Sequence, residues 1–275
     1  MSGEPSSAGS GTGSGTVRVD VVDAVATVTL ARPSAMNALD TATKVALRDA
    51  VEQLADDDGI RCVVLTGEGR AFCVGQDLRE HVALLESLPV AEVWATVREH
   101  YLPIATALAT MAKPVVAAVN GIAAGAGAAL AFAADVRIVA DTAGFNLAFS
   151  SIGLSCDTGT SWTLPRLVGH AKAMELLMFP RTVGADEALT LGLATSVSAP
   201  ADLLHDAASL AARLASGPTL AFGAIRRALS FAAAHTLSES MDYEAELMAL
   251  TGSSEDHRRA VAAFLVKQPP HFTGR

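Results

Sequence analysis

The sequence predicts one large α/β domain with a smaller helical appendage at its C-terminal end, and three observations carry that expectation. Short β-branched segments alternate with helix-patterned ones up to Thr158. Hydrophobic residues make up 51% and charged residues 18% of the 275 positions, enough apolar side chain to bury one extensive core. Beyond Thr158 the apolar spacing becomes almost wholly helical.

Residues 1–16 form a Gly/Ser-rich run with nothing to bury and are expected to be a disordered tail outside the fold. Val17–Val22 and Ala24–Leu30 read as neighbouring strands. Arg32-Pro33 then breaks the pattern, and Asp40 can cap a helix carrying Leu47, Val51 and Leu54 on one face. Arg61–Leu65 is a buried strand ending at Gly67. Pro114 precedes a strand over Val115–Val119, an Ala-rich helix lies around Ala126–Ala134, and Val136–Ala140 is another apolar strand. Buried strands separated by helices imply parallel pairing, with the loops at the strand ends free to hold a ligand. Helices are expected at Ser161–Val168, Ala171–Phe179, Ala185–Leu191, Ala201–Ala215, Thr219–Ala234, Leu237–Thr251 and Glu255–Val266. The core is thus expected over 17–200 and the helical region over 201–275.

Composition narrows the function. A net charge of -9 argues against nucleic-acid binding, which needs clustered Lys and Arg to neutralise phosphates. Cys62, Cys73 and Cys156 are odd in number, widely spaced and lack a Cys-x-x-Cys pair, which fits a reducing compartment and speaks against a metal site. The longest apolar stretch, Ile122 to Ala134, falls short of the roughly 20 residues a membrane span needs. Residues 1–16 lack the basic and apolar regions of a signal peptide. These features together predict a soluble cytoplasmic protein with no membrane partner.

Two glycine-rich turns, Gly69–Leu78 and Asn120–Ala129, follow short β-branched strands and expose unobstructed backbone N–H groups. Such turns often mark only tight bends. Neither fits a phosphate-binding template: Gly121-x-x-x-Gly125-x-Gly127 lacks the dinucleotide spacing, and no Gly-Lys-Ser/Thr follows it. What remains is a donor role, in which N–H groups near Gln76 and Ala126 converge on a carbonyl oxygen that becomes negative during reaction. Asp157 lies in sequence among Phe149, Leu154, Cys156 and Trp162, apolar company that would raise its pKa toward a proton shuttle's range. An Asp before Thr-Gly-Thr-Ser is equally a helix N-cap.

In combination, Arg32-Pro-Ser-Ala-Met-Asn-Ala-Leu39, Ala71-Phe-Cys-Val-Gly-Gln-Asp-Leu78, Asn120 through Ala129, and Gly153 through Gly169 resemble the crotonase superfamily of enoyl-CoA hydratases and isomerases. The likeness runs from about residue 17 to the end. The Gly-Gln-Asp-Leu turn and the ending Ala263–Arg275 are similar to the ring-1,2-epoxyphenylacetyl-CoA isomerase branch of that family. The resemblance implies a spiral of ββα repeats and a helical C-terminal region that builds trimers or dimers of trimers. It also implies a CoA thioester as substrate, with no separate cofactor. The N–H groups of Gln76 and Ala126 would hold the thioester oxygen, Ala126 replacing the family's commoner glycine. Ser34, Ala35 and Met36 would lie against pantetheine and nucleotide, and Ala71, Val74, Gly75, Leu78, Gly125, Phe149 and Leu154 would complete the ligand site. Asp77 would contact adenine or cap the Leu78–Leu85 segment. Phe264 and Lys267 would reach the CoA of a neighbouring subunit or serve ordinary helix roles.

The departures from the family pattern carry the functional expectation. Ala129 and Phe149 stand where the family's hydratases place two glutamates that flank a water. Hydration needs one group for the attacking water and one to deliver a proton, so their absence favours isomerisation, for which a single base suffices. By resemblance to the isomerase branch, that acid/base is Asp157. Three rivals follow. A hydratase would need Glu80 or Glu99 to enter the pocket. A non-catalytic acyl-CoA-binding protein would keep the turns without the chemistry. An aryl-CoA dehalogenase would use Asp157 as a nucleophile with His81 or His100 as base, although that branch carries a tryptophan at the position of Phe149.

Overall fold

A computed structural model of the chain describes residues 15–275, so nearly all of the expected tail lies outside the described residues. Strands β1 (Val17–Val22) and β2 (Val25–Leu30) form an antiparallel hairpin. Its two-residue turn places Asp23 and Ala24 at φ 47° and 64°, the left-handed pair that matches the twist of the flanking strands. Helix α1 (Thr41–Asp56) starts where Asp40 accepts the Thr43 N–H at 2.8 Å, and it buries Leu47, Val51 and Leu54 as the periodicity requires.

The chain then repeats one unit three times. β3 (Cys62–Gly67), β5 (Val115–Val119) and β7 (Val136–Ala140) lie side by side in a six-stranded sheet ordered β1-β2-β3-β5-β7-β10, in which every pairing beyond the first hairpin is parallel. After each, the chain turns and contributes a three-residue strand to a second sheet: β4 (Ala71–Cys73), β6 (Ile122–Ala124) and β8 (Gly144–Asn146), joined by an antiparallel β9 (Thr182–Gly184). This is the spiral that the resemblance implied.

The helices between the strands are α2 (Leu78–Ser87), α3 (Val90–Thr96), a single π-helical turn (Val97–Tyr101), α4 (Leu102–Thr110) and α5 (Ala126–Phe132). There follow α6 (Thr160–Val168), α7 (His170–Met178), α8 (Ala185–Leu191), β10 (Ser196–Ser198), α9 (Leu203–Ala215), α10 (Thr219–Ala232), α11 (Leu237–Gly252) and α12 (Glu255–Leu265). β9 and β10 correct the expectation of an almost wholly helical segment after Thr158. Three residues are too few to show an alternation, and these strands exist because a neighbouring edge offers them ladder bonds.

α9 lays Leu203, Ala207, Ala211 and Ala215, one every fourth residue, onto the six-stranded sheet at β3, β5 and β7. α10 is bolted to the core by Arg226, whose guanidinium donates to the carbonyls of Leu108 (2.6 Å), Lys113 (2.7 Å) and Met111 and pairs with Asp135 at 2.8 Å. α5 packs so closely on β4 that a Cβ on Gly127 would stand 2.1 Å from the Cys73 carbonyl oxygen. The C-terminal segment returns to the core: Asp256, 3% exposed, accepts the N–H groups of Thr273 and Gly274 at 2.7 Å each, and Arg61 donates to the Phe272 carbonyl.

Candidate active site

The three short strands β4, β6 and β8 run parallel, so the segments that leave their C-terminal ends converge on one side of the small sheet. These are Val74–Asp77, Gly125–Ala126 and Leu147–Asp157. The crevice outside the carboxyl ends of parallel strands is where open α/β sheets hold ligands. Here it is a cavity of about 140 Å³ whose walls include Val74, Gly75, Gln76, Leu78, Gly125, Ala126, Phe149, Leu154 and Asp157, nine positions named from the sequence. His81, Trp94, Thr96 and Tyr101 close the side contributed by the helical segment after β4. Apart from Asp157, the lining is apolar or neutral save for His81, whose ring rests against Trp94 with centroids 5.1 Å apart.

Two backbone amides face this cavity for reasons of chain geometry. Leu39 and Gln76 form an isolated parallel bridge in which the Leu39 N–H donates to the Gly75 carbonyl (2.8 Å) and the Asp77 N–H to the Leu39 carbonyl (3.1 Å). The groups of Gly75 and Asp77 therefore point toward Leu39, and the intervening Gln76 N–H points away from it, to the cavity side. Ala126 is the first residue of α5, and its N–H is among those a helix start leaves without an intrahelical acceptor. Gly75 brings the two together. Its φ is +84°, and a Cβ there would stand 2.9 Å from the Ala124 carbonyl oxygen and 3.3 Å from the Ala126 nitrogen. A side chain at this position would be strained by its backbone and would wedge the two turns apart.

Asp157 is half-buried on the cavity wall. It does not cap α6: the cap position is Gly159, and no side chain accepts a bond from that helix start. One carboxylate oxygen accepts the Thr158 hydroxyl at 2.8 Å. Burial pushes the Asp157 pKa above its ordinary 3.8, against the smaller opposing pull of the Thr158 bond and the Lys44 charge. The carboxyl also borders a second, roomier cavity of about 460 Å³ between α4 and α6, which includes Thr106, Ser161 and Ser230.

The other named positions divide. Asp77 caps α2, accepting from Arg79 N–H at 3.1 Å, and pairs with Arg32 at 3.0 Å, so the capping role is the one its oxygens perform. Ser34 and Ala35 sit in a 3-10 turn and Met36 follows at φ 51°. They lie beside the cavity rather than on its wall, linked to it where the Val74 N–H donates to the Met36 carbonyl at 3.3 Å. Ala71 is 1% exposed inside β4 and is not on the cavity wall, because its carbonyl is held by the side-chain amides of Asn37 and Asn120. Glu80 is drawn off to the start of α1, accepting the Thr41 N–H at 2.9 Å, and Glu99 is exposed. Neither carboxylate required by the hydratase rival lines the cavity. Phe264 and Lys267 are exposed at the end of α12. Cys73 is buried, and its thiol, pushed up to about 12 by that burial, is not a nucleophile.

The architecture matches known proteins along almost its whole length. An enoyl-CoA hydratase/isomerase family profile fits residues 20–275. The chain belongs to the enoyl-CoA hydratase/isomerase family. Among its relatives, a Rhodobacter capsulatus protein described as a "probable enoyl-CoA hydratase" is 44% identical over 94% of this chain and 98% of its own. The 1,2-epoxyphenylacetyl-CoA isomerase of Escherichia coli is 40% identical over 91% of this chain and 95% of its own. The crystal structure of an enoyl-CoA hydratase/isomerase family protein from Mycobacterium abscessus superposes with a TM-score of 0.90 at 42% identity, covering 94% of this chain and 100% of that one. This family member therefore has the crotonase fold, and an acyl-CoA thioester is the class of substrate that fits the family.

Two residues not singled out by any sequence motif, Asn37 and Lys44, are buried next to the segments that form the cavity. Asn37 is fully buried at φ 56°; its oxygen accepts the Arg32 N–H at 2.9 Å and its amide donates to the carbonyls of Glu68 (3.0 Å) and Ala71 (2.8 Å), which ties the Arg32–Leu39 turn to β4. Lys44 is 1% exposed on the inner face of α1. Its position three residues before Leu47 and seven before Val51 was the available signal, since that spacing places it on the apolar stripe.

Proposed function

We propose that this family member is an acyl-CoA isomerase in which the N–H groups of Gln76 and Ala126 stabilise an enolate-like thioester oxygen and Asp157 carries the proton. The observation that carries this reading is that Asp157 is the one carboxylate on the walls of the acyl cavity among the described residues. A single base that takes a proton from one carbon and returns it to another suits isomerisation; hydration calls for two acid/base groups around a water. Ala129 and Phe149, both buried and apolar, occupy the two places where the family's hydratases carry their pair of glutamates.

The reaction begins when the thioester oxygen docks between the two amides, which acidifies the adjacent carbon. Asp157, with its pKa raised by burial, then removes the α proton and returns it at the γ carbon as the double bond moves from β,γ to α,β; with a ring epoxide, the enolate electrons break the adjacent C–O bond and Asp157 gives the proton to the freed oxygen. The substrate is accordingly a 3-enoyl-CoA or a ring-epoxide aryl-CoA. The exposed apolar side chains of α10–α12, among them Leu229 (71%), Met248 (72%) and Phe264 (80%), support assembly into a trimer or a dimer of trimers.

The test is a panel of CoA thioesters: a 3-enoyl-CoA, a trans-2-enoyl-CoA, a ring-epoxide phenylacetyl-CoA and a 4-chlorobenzoyl-CoA. Double-bond migration or epoxide rearrangement that outpaces water addition by at least about tenfold is expected. Hydration at a comparable rate, release of chloride, or binding without turnover of any of the four would reject the proposal.

A further inference from the structure

A buried cation stands behind the acyl cavity. The Lys44 ammonium donates to Thr96 Oγ1 at 2.7 Å and to Gln76 Oε1 at 3.2 Å, and lies 5.5 Å from the centroid of the Tyr101 ring. The hydroxyl of Tyr101, a residue 1% exposed, donates to the same Gln76 oxygen at 2.6 Å. Thr96 in turn meets His100 Nδ1 at 3.1 Å. All of these partners are neutral, and Lys44 forms no ion pair among the described residues. Burying an ammonium without a carboxylate in contact is costly. It becomes useful if negative charge develops nearby, because a fixed charge in a dry site acts more strongly than in water and requires no reorganisation at the moment of reaction.

We propose that Lys44 is a positioning residue. Its ammonium and the Tyr101 hydroxyl clamp the Gln76 carboxamide from behind, holding the Gln76 backbone N–H toward the thioester, and its charge favours the anionic form of the bound ligand. This rests on the enolate-stabilising role given above to Gln76 and Ala126. Burial lowers the Lys44 pKa, opposed by the longer-range charges of Glu80, Asp40, Asp157 and Asp77. The other titratable groups around it are His100, lowered by burial and by Lys44 itself and influenced also by Glu99 and Arg48, and Tyr101, raised by burial and by the charges of Asp157 and Glu80.

The experiment uses acetoacetyl-CoA, whose enolate absorbs in the near ultraviolet, bound to the full-length enzyme across a pH series. Wild type is expected to hold the ligand as enolate well below the pH at which it ionises in water. Lys44→Met is expected to move that midpoint upward by about one pH unit, a tenfold loss of enolate preference, with less than about threefold change in affinity for the neutral ketone, measured below both midpoints. Lys44→Gln, which keeps a donor but no charge, should recover part of the loss through the clamp alone. If the variants fold poorly, the Lys44 ammonium of wild type is titrated by nitrogen NMR with and without the ligand; by reciprocity its pKa must rise when the enolate is bound. An unchanged midpoint in folded Lys44→Met, or an ammonium pKa indifferent to the enolate, would overturn the role of Lys44 while leaving the proposed function standing. A wild-type complex in which the ligand ionises no more readily than in water would remove both.

Discussion

At the scale of single residues, Asp157 is the side chain on which chemistry and stability pull in opposite directions. Its pKa is raised in the folded chain, so the native state binds this proton more tightly than the unfolded state does. The stabilising contribution is complete below the unfolded pKa and is lost as pH rises through the folded one. At neutral pH the ionised carboxylate is therefore a burden to the fold. Asp157→Asn should melt above wild type in calorimetry at pH 7 while losing about 10² to 10⁴ in isomerisation rate. The rising limb of kcat/KM for wild type should have its midpoint above 3.8. Gly75→Ala is the complementary change. With φ at +84° and 3.3 Å of room to the Ala126 nitrogen, a methyl group displaces one of the two donors, and kcat should fall by about 10²-fold, the typical cost of losing one such donor. The residues that meet at the cavity were readable before the fold was known: glycines at two turns and an acid among apolar neighbours. Lys44 was passed over although its spacing to Leu47 and Val51 places it on the apolar stripe of α1, because a lysine's charge favours a surface reading, and Asn37 acts through carbonyls 31 and 34 residues away.

At the scale of elements, the long strands and amphipathic helices were legible because each buries a face repeated over several turns or pleats. α1, β3, β5, β7 and α10 follow from that periodicity alone. The second sheet was invisible. β4, β6 and β8 are three residues each, and they form because the corner after each long strand delivers them to one another in parallel register. This hidden sheet positions the site, so its packing is where a remote change should be felt. Gly127 lies against the Cys73 carbonyl at a distance no Cβ tolerates, and Gly127→Ala must push α5 off β4. A loss of about 1–3 kcal/mol or more is expected in urea unfolding, together with a fall in activity, since Ala126 begins the same helix. A fully stable, fully active Gly127→Ala would mean that α5 does not sit as described.

At the scale of the whole molecule, the last residues of the chain are fastened to its core. Burial pushes the Asp256 carboxyl up, but the N–H groups of Thr273 and Gly274 with the Thr273 hydroxyl outweigh it and hold the pKa below 3.8. A depressed folded pKa contributes stability above the unfolded value and loses it as pH falls through the folded value. Asp256→Ala should cost about 1–3 kcal/mol at neutral pH by leaving those donors unpaired, and it should open residues 272–274 to hydrogen exchange. The same end of the molecule presents the apolar face of α10–α12, so light scattering should report three or six copies of the 28.2 kDa chain. A monomer at micromolar concentration would refute that assembly. At the centre of the proposed reaction, main-chain amides acidify a thioester and one carboxyl moves the proton. The most direct test is incubation of wild type and Asp157→Asn with a 3-enoyl-CoA in deuterated water, following label at the α and γ carbons by NMR. Wild type should exchange or transfer at these carbons, and the variant should bind the thioester with near-normal affinity yet slow that proton traffic by at least about 10²-fold. Equal label in both proteins would contradict the account.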